Sequence, residues 1–337
     1  MTRSRTKSPI LVLDGTGVVP SRIARRLDAS SADKHPLLVA SILGEDPNGV
    51  KFNLYDSDTW ENPFVRAQEL YGSDKEMEGD AMIHSIYLTA PNSPPSSAHV
   101  HSHSSRTSTL AASDQQQERA PSPSPSQQAS LLMQFVDYAR LKHGTRRFVL
   151  QSASAMEPGG FSLGRVHAYL RELGQRGEAE WAVLRPTWCQ QDFEQPCHVK
   201  SIKEENRLYS ATSRGKIPWV SADDIAAVAV EALTSKDAPN TEYLVLGPEL
   251  LGYDDIASIL SSVLGRKIVH VDLSSHALER RQQSFGCSEE HSRLMSSLDT
   301  AIKYGTENRT NDVVLSMTGN KPKSFREYAE SVKHLWV

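Results

Sequence analysis

Four short stretches of this chain hold residue types that could do chemistry together. The first, Ile10 to Leu27 (ILVLDGTGVVPSRIARRL), runs an apolar segment into Asp14-Gly-Thr-Gly17 and then into helical spacing. Strand, glycine turn and helix in that order can hold a phosphate. The turn lets the backbone approach a pyrophosphate, and unpaired N–H groups at the helix start supply donors and a favourable dipole. Gly15 and Gly17 fit such a turn, while Pro20 stands where a GxGxxG pattern has its third glycine. Proline removes one donor there, although it suits a first helical turn. An ordinary βα turn without a ligand is the alternative. The other three stretches are Thr89-Ala-Pro91, Ser152-Ala-Ser154 and Arg185-Pro-Thr-Trp188, each ending an apolar run. Strand ends of this kind line the ligand crevice of a doubly wound sheet. Thr89 and Ala90 are expected to border a dinucleotide, and Ser152, Ser154, Pro186 and Thr187 to lie where a nicotinamide meets its substrate.

The elements that would position these groups follow in an α/β order. After the first helix, His35 to Ser41 reads as a second strand and ends at Ala40-Ser41-Ile42 with no acid. An NAD site usually has Asp or Glu there for the ribose diol, so this end leans towards NADP. Arg22, just inside the first helix, is the nearest basic candidate for the extra phosphate. Lys51 to Leu54 suggests a short third strand, Asp58-Thr59 the cap of a helix running to Leu70, and Ile83 to Leu88 a fourth strand. From 92 to 128 the composition turns to Ser, Pro, Gln and His. Such a segment cannot bury enough apolar surface to offset its ordering entropy and reads as a disordered insertion; His99, His101 and His103 within it read as solvated rather than as metal ligands. Leu131 to Arg140 is an amphipathic helix, Arg146 to Gln151 a strand, Gly164 to Leu173 a helix and Trp181 to Leu184 a strand. Helix-then-strand repeats make the crossover units of a parallel sheet. Beyond them Ile217–Val220, Tyr243–Leu246 and Lys267–Leu273 read as strands. Helices run from Ser221 to Leu233 and from Tyr253 to Leu264, and the remainder is mostly helical.

The expected architecture is a Rossmann-like doubly wound parallel sheet over 8–190. A smaller C-terminal α/β lobe over 191–337 would bind the substrate and return some segments to the main sheet. At 337 residues the chain can bury a sizeable core. Its formal net charge of −4 gives no reason to expect nucleic-acid binding. No run of 18 apolar residues suggests a membrane span, so a cytoplasmic protein is expected. Cys189, Cys197 and Cys287 form neither a disulfide framework nor a zinc pattern, and free thiols and no metal site are expected.

Further segments carry a resemblance: RRFVLQSAS, GRVHAYL, VLRPTW, YSAT with GKIPWVSADDIAAVA, EYLVLGPELLGYDDIASILSSVLGRKIVH and TGNKPKSFREYA. The chain resembles the festuclavine and agroclavine dehydrogenases of fungal ergot alkaloid biosynthesis, within the NmrA-like, atypical short-chain dehydrogenases. The resemblance spans nearly everything from Ile10 except the low-complexity insertion. It implies an NADP-dependent oxidoreductase acting on CH–NH: NADPH would reduce the cyclic iminium formed when chanoclavine-I aldehyde closes onto its own secondary amine, giving a tetracyclic clavine. Glutathione or an old-yellow-enzyme-type reductase would promote the cyclisation. By position, Gly15, Thr16 and Gly17 would cradle the pyrophosphate, Ser41 would face the adenosine phosphate, and Ser152, Pro186, Thr187 and Trp188 would surround nicotinamide and substrate.

The residues make separate sense of that chemistry. Carbonyl reduction needs a proton for the nascent alkoxide, whereas hydride addition to an iminium carbon only neutralises a cation already present. Short-chain carbonyl reductases carry a Tyr and a Lys, as YxxxK, on the helix that begins here near Gly164. In this chain the lysine place, four residues before His167, holds Leu163, and Tyr169 lies on the wrong side of it. No catalytic acid is therefore assigned, and positioning of hydride donor and cation remains. An indole such as Trp188 suits a cationic, aromatic substrate by cation–π attraction, worth up to ~2 kcal/mol when desolvated. Asp192 is a candidate for countering the iminium charge. Asp14, at a place where many relatives have glycine, and Cys189 to Asp192, which replace the usual Phe-Met-Glu-Asn, depart from the family pattern. They leave two other readings open: a dinucleotide-binding sensor or scaffold of the NmrA kind, and a reductase of another indole-alkaloid cyclic imine.

Overall fold

The computed structural model describes residues 8–29, 35–44, 48–71, 82–90 and 124–337. Among these residues nine strands are formed: β1 (Ile10–Leu13), β2 (Leu37–Ser41), β3 (Gly49–Lys51), β4 (Ser85–Leu88), β5 (Arg147–Gln151), β6 (Glu180–Pro186), β7 (Arg207–Ser210), β8 (Thr241–Val245) and β9 (Val269–Asp272). The helices, in chain order, are α1 (Pro20–Asp28), α2 (Asn62–Tyr71), α3 (Pro125–His143), α4 (Leu163–Gln175), α5 (Pro196–Lys200), α6 (Ala222–Thr234), α7 (Tyr253–Leu264), α8 (Ser275–Ser284), α9 (Glu289–Lys303), α10 (Val313–Thr318) and α11 (Phe325–Val332).

Seven strands make one sheet in the order β3-β2-β1-β4-β5-β6-β8, and every pairing in it is parallel. The strands are short apolar runs because both faces are covered. Alternation along β1 shows this: Leu11 and Leu13 pack on the side of α2, α3 and α4, with Phe135 and Leu170. Ile10 and Val12 pack on the opposite side, with Ile23 of α1 and Ile225 of α6. Each such fully buried aliphatic contributes about 1.5–3 kcal/mol. The direction of strand succession reverses between β1 and β4, and a doubly wound sheet opens its crevice there, outside the carboxyl ends. This is the Rossmann-like sheet that the sequence implies.

The C-terminal half is divided between two layers. β8 is the edge strand of the main sheet, and α6 packs on its face. A second core forms around Phe193, Trp219, Tyr253, Phe325 and Trp336, beside a separate parallel pair, β7 with β9. Among the described residues no helix is long and apolar enough to cross a membrane.

Several expected elements are corrected. The third strand is Gly49–Lys51, not Lys51 to Leu54: Phe52 and Leu54 are buried, but as core-filling loop residues past the end of β3. Asp58-Thr59 do not cap α2; Asp56 caps a single 3₁₀ turn there by accepting from Asp58 N–H. Ile217–Val220 is no strand, because Pro218 cannot donate to a ladder; it makes only two isolated bridges, Ile217 to Leu251 and Val220 to Cys189. The expected insertion also ends early. Ser124 accepts from Gln127 N–H while the Gln127 side chain accepts from Ser124 N–H, a capping box with proline at the first position that starts α3 six residues before Leu131. The rest of that segment, with its three histidines and Pro91, lies outside the described residues.

Candidate active site

Two ladders, β5 with β6 and β6 with β8, bring the hydroxyl-bearing strand ends together. Ser152 N–H donates to Leu184 O at 2.7 Å and Ser154 N–H to Pro186 O at 2.8 Å, so the β5–β6 pairing continues beyond the sheet. Thr187 N–H in turn donates to Val245 O at 3.2 Å. Ser152, Ser154 and Thr187 are thereby buried at the rim of one cavity of about 630 Å³, a volume in the ordinary range for a small-molecule or cofactor site. Asp14 and Gly17 from the first turn, Thr89 and Ala90 after β4, Pro186 at the end of β6, and Trp188 and Asp192 after it complete the sequence-derived part of its wall. The cavity therefore lies where the topology opens the sheet.

The remaining wall comes from a region to which the sequence assigned no role. Met295 and Leu298 of α9, then Thr306, Glu307 and Arg309 after it, close the cavity over the strand ends. Glu307 Oε1 accepts from Ser154 Oγ at 2.8 Å and Oε2 from Thr187 Oγ1 at 3.1 Å. Trp188, half-buried, stands 6.4 Å from Trp219 between ring centroids. It walls both this cavity and a neighbouring one of about 80 Å³. Its two sides thus do two jobs, core contact and cavity wall.

The glycine turn is tight. Gly15 N–H donates to Ala40 O at 3.0 Å and Gly17 N–H to Asp14 O at 2.8 Å, so both donors are spent within the protein. Gly15, Thr16, Arg22 and Ser41 stand outside the cavity wall. Arg22 Nε pairs with Asp223 at 3.0 Å and its Nη1 donates to Val18 O at 2.8 Å. Ser41 Oγ accepts the N–H of Gly44 at 2.9 Å, capping the turn that leaves β2. Asp14 has a left-handed φ of 54°, a region that glycine enters freely and that asparagine and aspartate enter more readily than other side chains.

Asp192 is not placed as a simple counter-ion. One of its carboxylate oxygens accepts the N–H of Cys189 at 3.1 Å, and burial pushes its carboxyl up to about 7. The same burial raises the Cys189 thiol, which is therefore a packing group and no nucleophile. Arg185, beneath the site, donates to Glu242 at 2.7 Å, to Glu157 at 2.5 Å and to Ser154 O at 2.9 Å, holding the loop after β5. His167 is buried behind it, and burial lowers its pKa; it does not line the cavity.

Among the described residues, no Tyr or Lys lines the cavity. Tyr169 faces away, with its hydroxyl donating to Asp137 at 2.6 Å, and burial followed by that hydrogen bond pushes its pKa up to about 12. Tyr169→Phe should accordingly leave turnover within about twofold of the parent while costing ~1 kcal/mol of stability. Steady-state rates and a denaturant melt check this together, and a large loss of kcat would restore Tyr169 as a proton donor.

Comparison with known proteins agrees with the geometry. No family model matches the chain. Festuclavine synthase II of Penicillium roqueforti (strain FM164) is 38% identical over 332 residues, which are 97% of this chain and 99% of the relative. Agroclavine dehydrogenase of Claviceps fusiformis is 39% identical over 210 residues, 61% of this chain and 71% of the relative. Among solved structures, the triphenylmethane reductase of Citrobacter sp. complexed with NADP(H) is similar with a TM-score of 0.68 and 15% identity, over 96% of this chain and 99% of that one; this likeness concerns the fold. With a cavity at the strand ends of a Rossmann-like sheet and more than a third of its residues shared with a relative along almost its whole length, the chain belongs to the festuclavine and agroclavine dehydrogenase family.

Proposed function

We propose that the protein reduces a cyclic iminium with NADPH, the substrate being the ion formed when chanoclavine-I aldehyde closes onto its own amine, and the product a tetracyclic clavine. The observation that carries this reading is the make-up of the cavity. It has buried hydroxyls at two adjacent strand ends, an indole at one side and a buried carboxylate, but no Tyr/Lys pair among the described residues. Such a wall positions and solvates a cation without the usual apparatus for protonating an alkoxide.

The residues present fit the nicotinamide end of NADPH. Ser152 Oγ is buried at the rim without a hydrogen-bond partner among the described residues, and a carboxamide would satisfy it. Pro186 and Thr187 would flank the same ring. At the phosphate end the two glycine N–H groups are committed, so the donors left in the turn are those of Thr16, Val18 and Val19, aided by the dipole of α1. Asp14 opposes an anion there, and a carboxylate ~4 Å from a phosphate costs about 1–4 kcal/mol, depending on the local dielectric. When bound, NADPH supplies the hydride. Ser154, Thr187 and Trp188 orient the iminium carbon towards it, while α9 and the segment after it exclude water.

Two measurements test the reading in order. Fluorescence titration should give saturable binding that prefers NADPH to NADH. Purified protein given NADPH and chanoclavine-I aldehyde, with glutathione or an old-yellow-enzyme-type reductase to drive cyclisation, should then oxidise the cofactor and form a clavine. Binding without any oxidation or clavine product would refute a reductase and leave a dinucleotide-binding sensor.

A further inference from the structure

Glu307 is 4% exposed, yet it borders the cavity. A buried carboxylate persists only where hydrogen bonds and opposite charge offset its lost hydration. Ser154 and Thr187 give it two hydroxyl donors, one to each oxygen, and these fix the plane of the carboxylate without bringing any charge. The only Lys, Arg or His on the described cavity wall is Arg309. Its Nη2 stands 3.7 Å from Glu307 Oε2, beyond hydrogen-bond reach, and closer, at 3.4 Å, to Ser154 O. Arg309 is also 39% exposed in its side chain, so water shares its charge. The carboxylate is thus oriented and solvated but incompletely neutralised, at the seam between the loops after β5 and β6.

We infer that Glu307 is the charge-selecting residue of this site: its carboxylate, held by Ser154 and Thr187, seats the positively charged nitrogen of a cyclic iminium and discriminates against neutral rings of the same shape. The assignment deepens the proposed function and rests on it for the substrate class. It makes Glu307 a specificity residue, with no proton transferred to or from it.

The test is one of binding, so that it does not depend on turnover. The probes are N-methyl dihydro-β-carbolinium, a permanent iminium cation on an indole, and the neutral lactam of the same ring system. Each is titrated into the full chain, with and without saturating NADP⁺, by tryptophan fluorescence. The parent should prefer the cation by about tenfold to a hundredfold, the value of a hydrogen bond or contact to a charged group. Glu307→Gln should bring the two affinities to within about twofold by weakening the cation alone, with NADPH affinity and melting temperature kept, and Glu307→Asp should recover part of the preference. Equal cation preference in parent and Glu307→Gln overturns the assignment. Should Glu307→Gln fail to fold, the parent decides alone, since equal affinity for cation and lactam also overturns it. A retained cation preference without turnover sinks the reductase and leaves Glu307 assigned; turnover without charge preference does the reverse.

Discussion

Replacing Gly15 by alanine should weaken NADPH binding by at least about tenfold and lower the melting temperature by several degrees, and adding Val39→Ala should restore both. A Cβ at position 15 would lie 2.0 Å from Val39 Cγ1. Val39 is buried in β2 and β-branched, so it has little freedom to turn aside. The backbone would have to give instead. Gly15 N–H holds Ala40 O at 3.0 Å, and losing that register would move the whole turn, Asp14 and Gly17 with it, away from the start of α1. Overpacking of this kind costs about 1–3 kcal/mol, and in a chain of 337 residues each kcal/mol is worth ~1–2 °C. Val39→Ala alone should destabilise by ~1–2 kcal/mol through the cavity it leaves. The double variant is therefore informative: a recovery beyond additivity, read by thermal melts and cofactor titration, assigns the glycine to strand packing. If Gly15→Ala binds NADPH as the parent does, this turn does not hold the phosphates.

Parts of the site can be read from the sequence and parts cannot. The strand-end hydroxyls were legible because in a parallel sheet every strand delivers its carboxyl end to the same edge, so locating a strand locates its terminal residues. Ser152, Ser154, Pro186, Thr187 and Trp188 lie at or just past such ends, and all five line the cavity. Gly15 was legible as a glycine that a turn requires, but not for its reason: the contact that demands it is with Val39, on the neighbouring strand. Glu307 was not legible. Its partners Ser154 and Thr187 lie 153 and 120 residues away, and a single acid in a polar loop after a helix has no local pattern that separates it from a solvated one.

The elements divide in the same way. α7 runs from Tyr253 to Leu264 with Gly265 in the left-handed cap, as its spacing and glycine indicate, because the signals are local. The start of α3 was also written locally, in Ser124-Pro125 and Gln127, but lies at the end of a stretch whose composition argues for disorder. β7 has no such local signal: it is four residues long, Arg-Leu-Tyr-Ser has no clean alternation, and its partner β9 is about sixty residues away.

The Asp192 carboxyl turns the same burial that shapes the cavity into a pH dependence. Burial lifts its pKa from the usual carboxyl range to about 7, so the folded chain holds a proton there that the unfolded chain releases near 4. Below the unfolded value both states are protonated and nothing is lost. Between about pH 4 and 7 the folded state binds the extra proton, and stability falls as pH rises. Above 7 the penalty is complete, and for the full displacement it amounts to as much as about 4 kcal/mol. Asp192→Asn keeps an oxygen to accept the Cys189 N–H and has no charge to bury. The variant should be more stable than the parent by ~1–3 kcal/mol at pH 8, and within ~0.5 kcal/mol of it at pH 4. Asp299, which burial lifts to about 6, titrates in the same direction but is common to both proteins and cancels in the difference. Urea melts of the two proteins at both pH values check this. A difference independent of pH would mean that Asp192 stays ionised in the fold, and that the cavity holds a second carboxylate able to meet the substrate's charge beside Glu307.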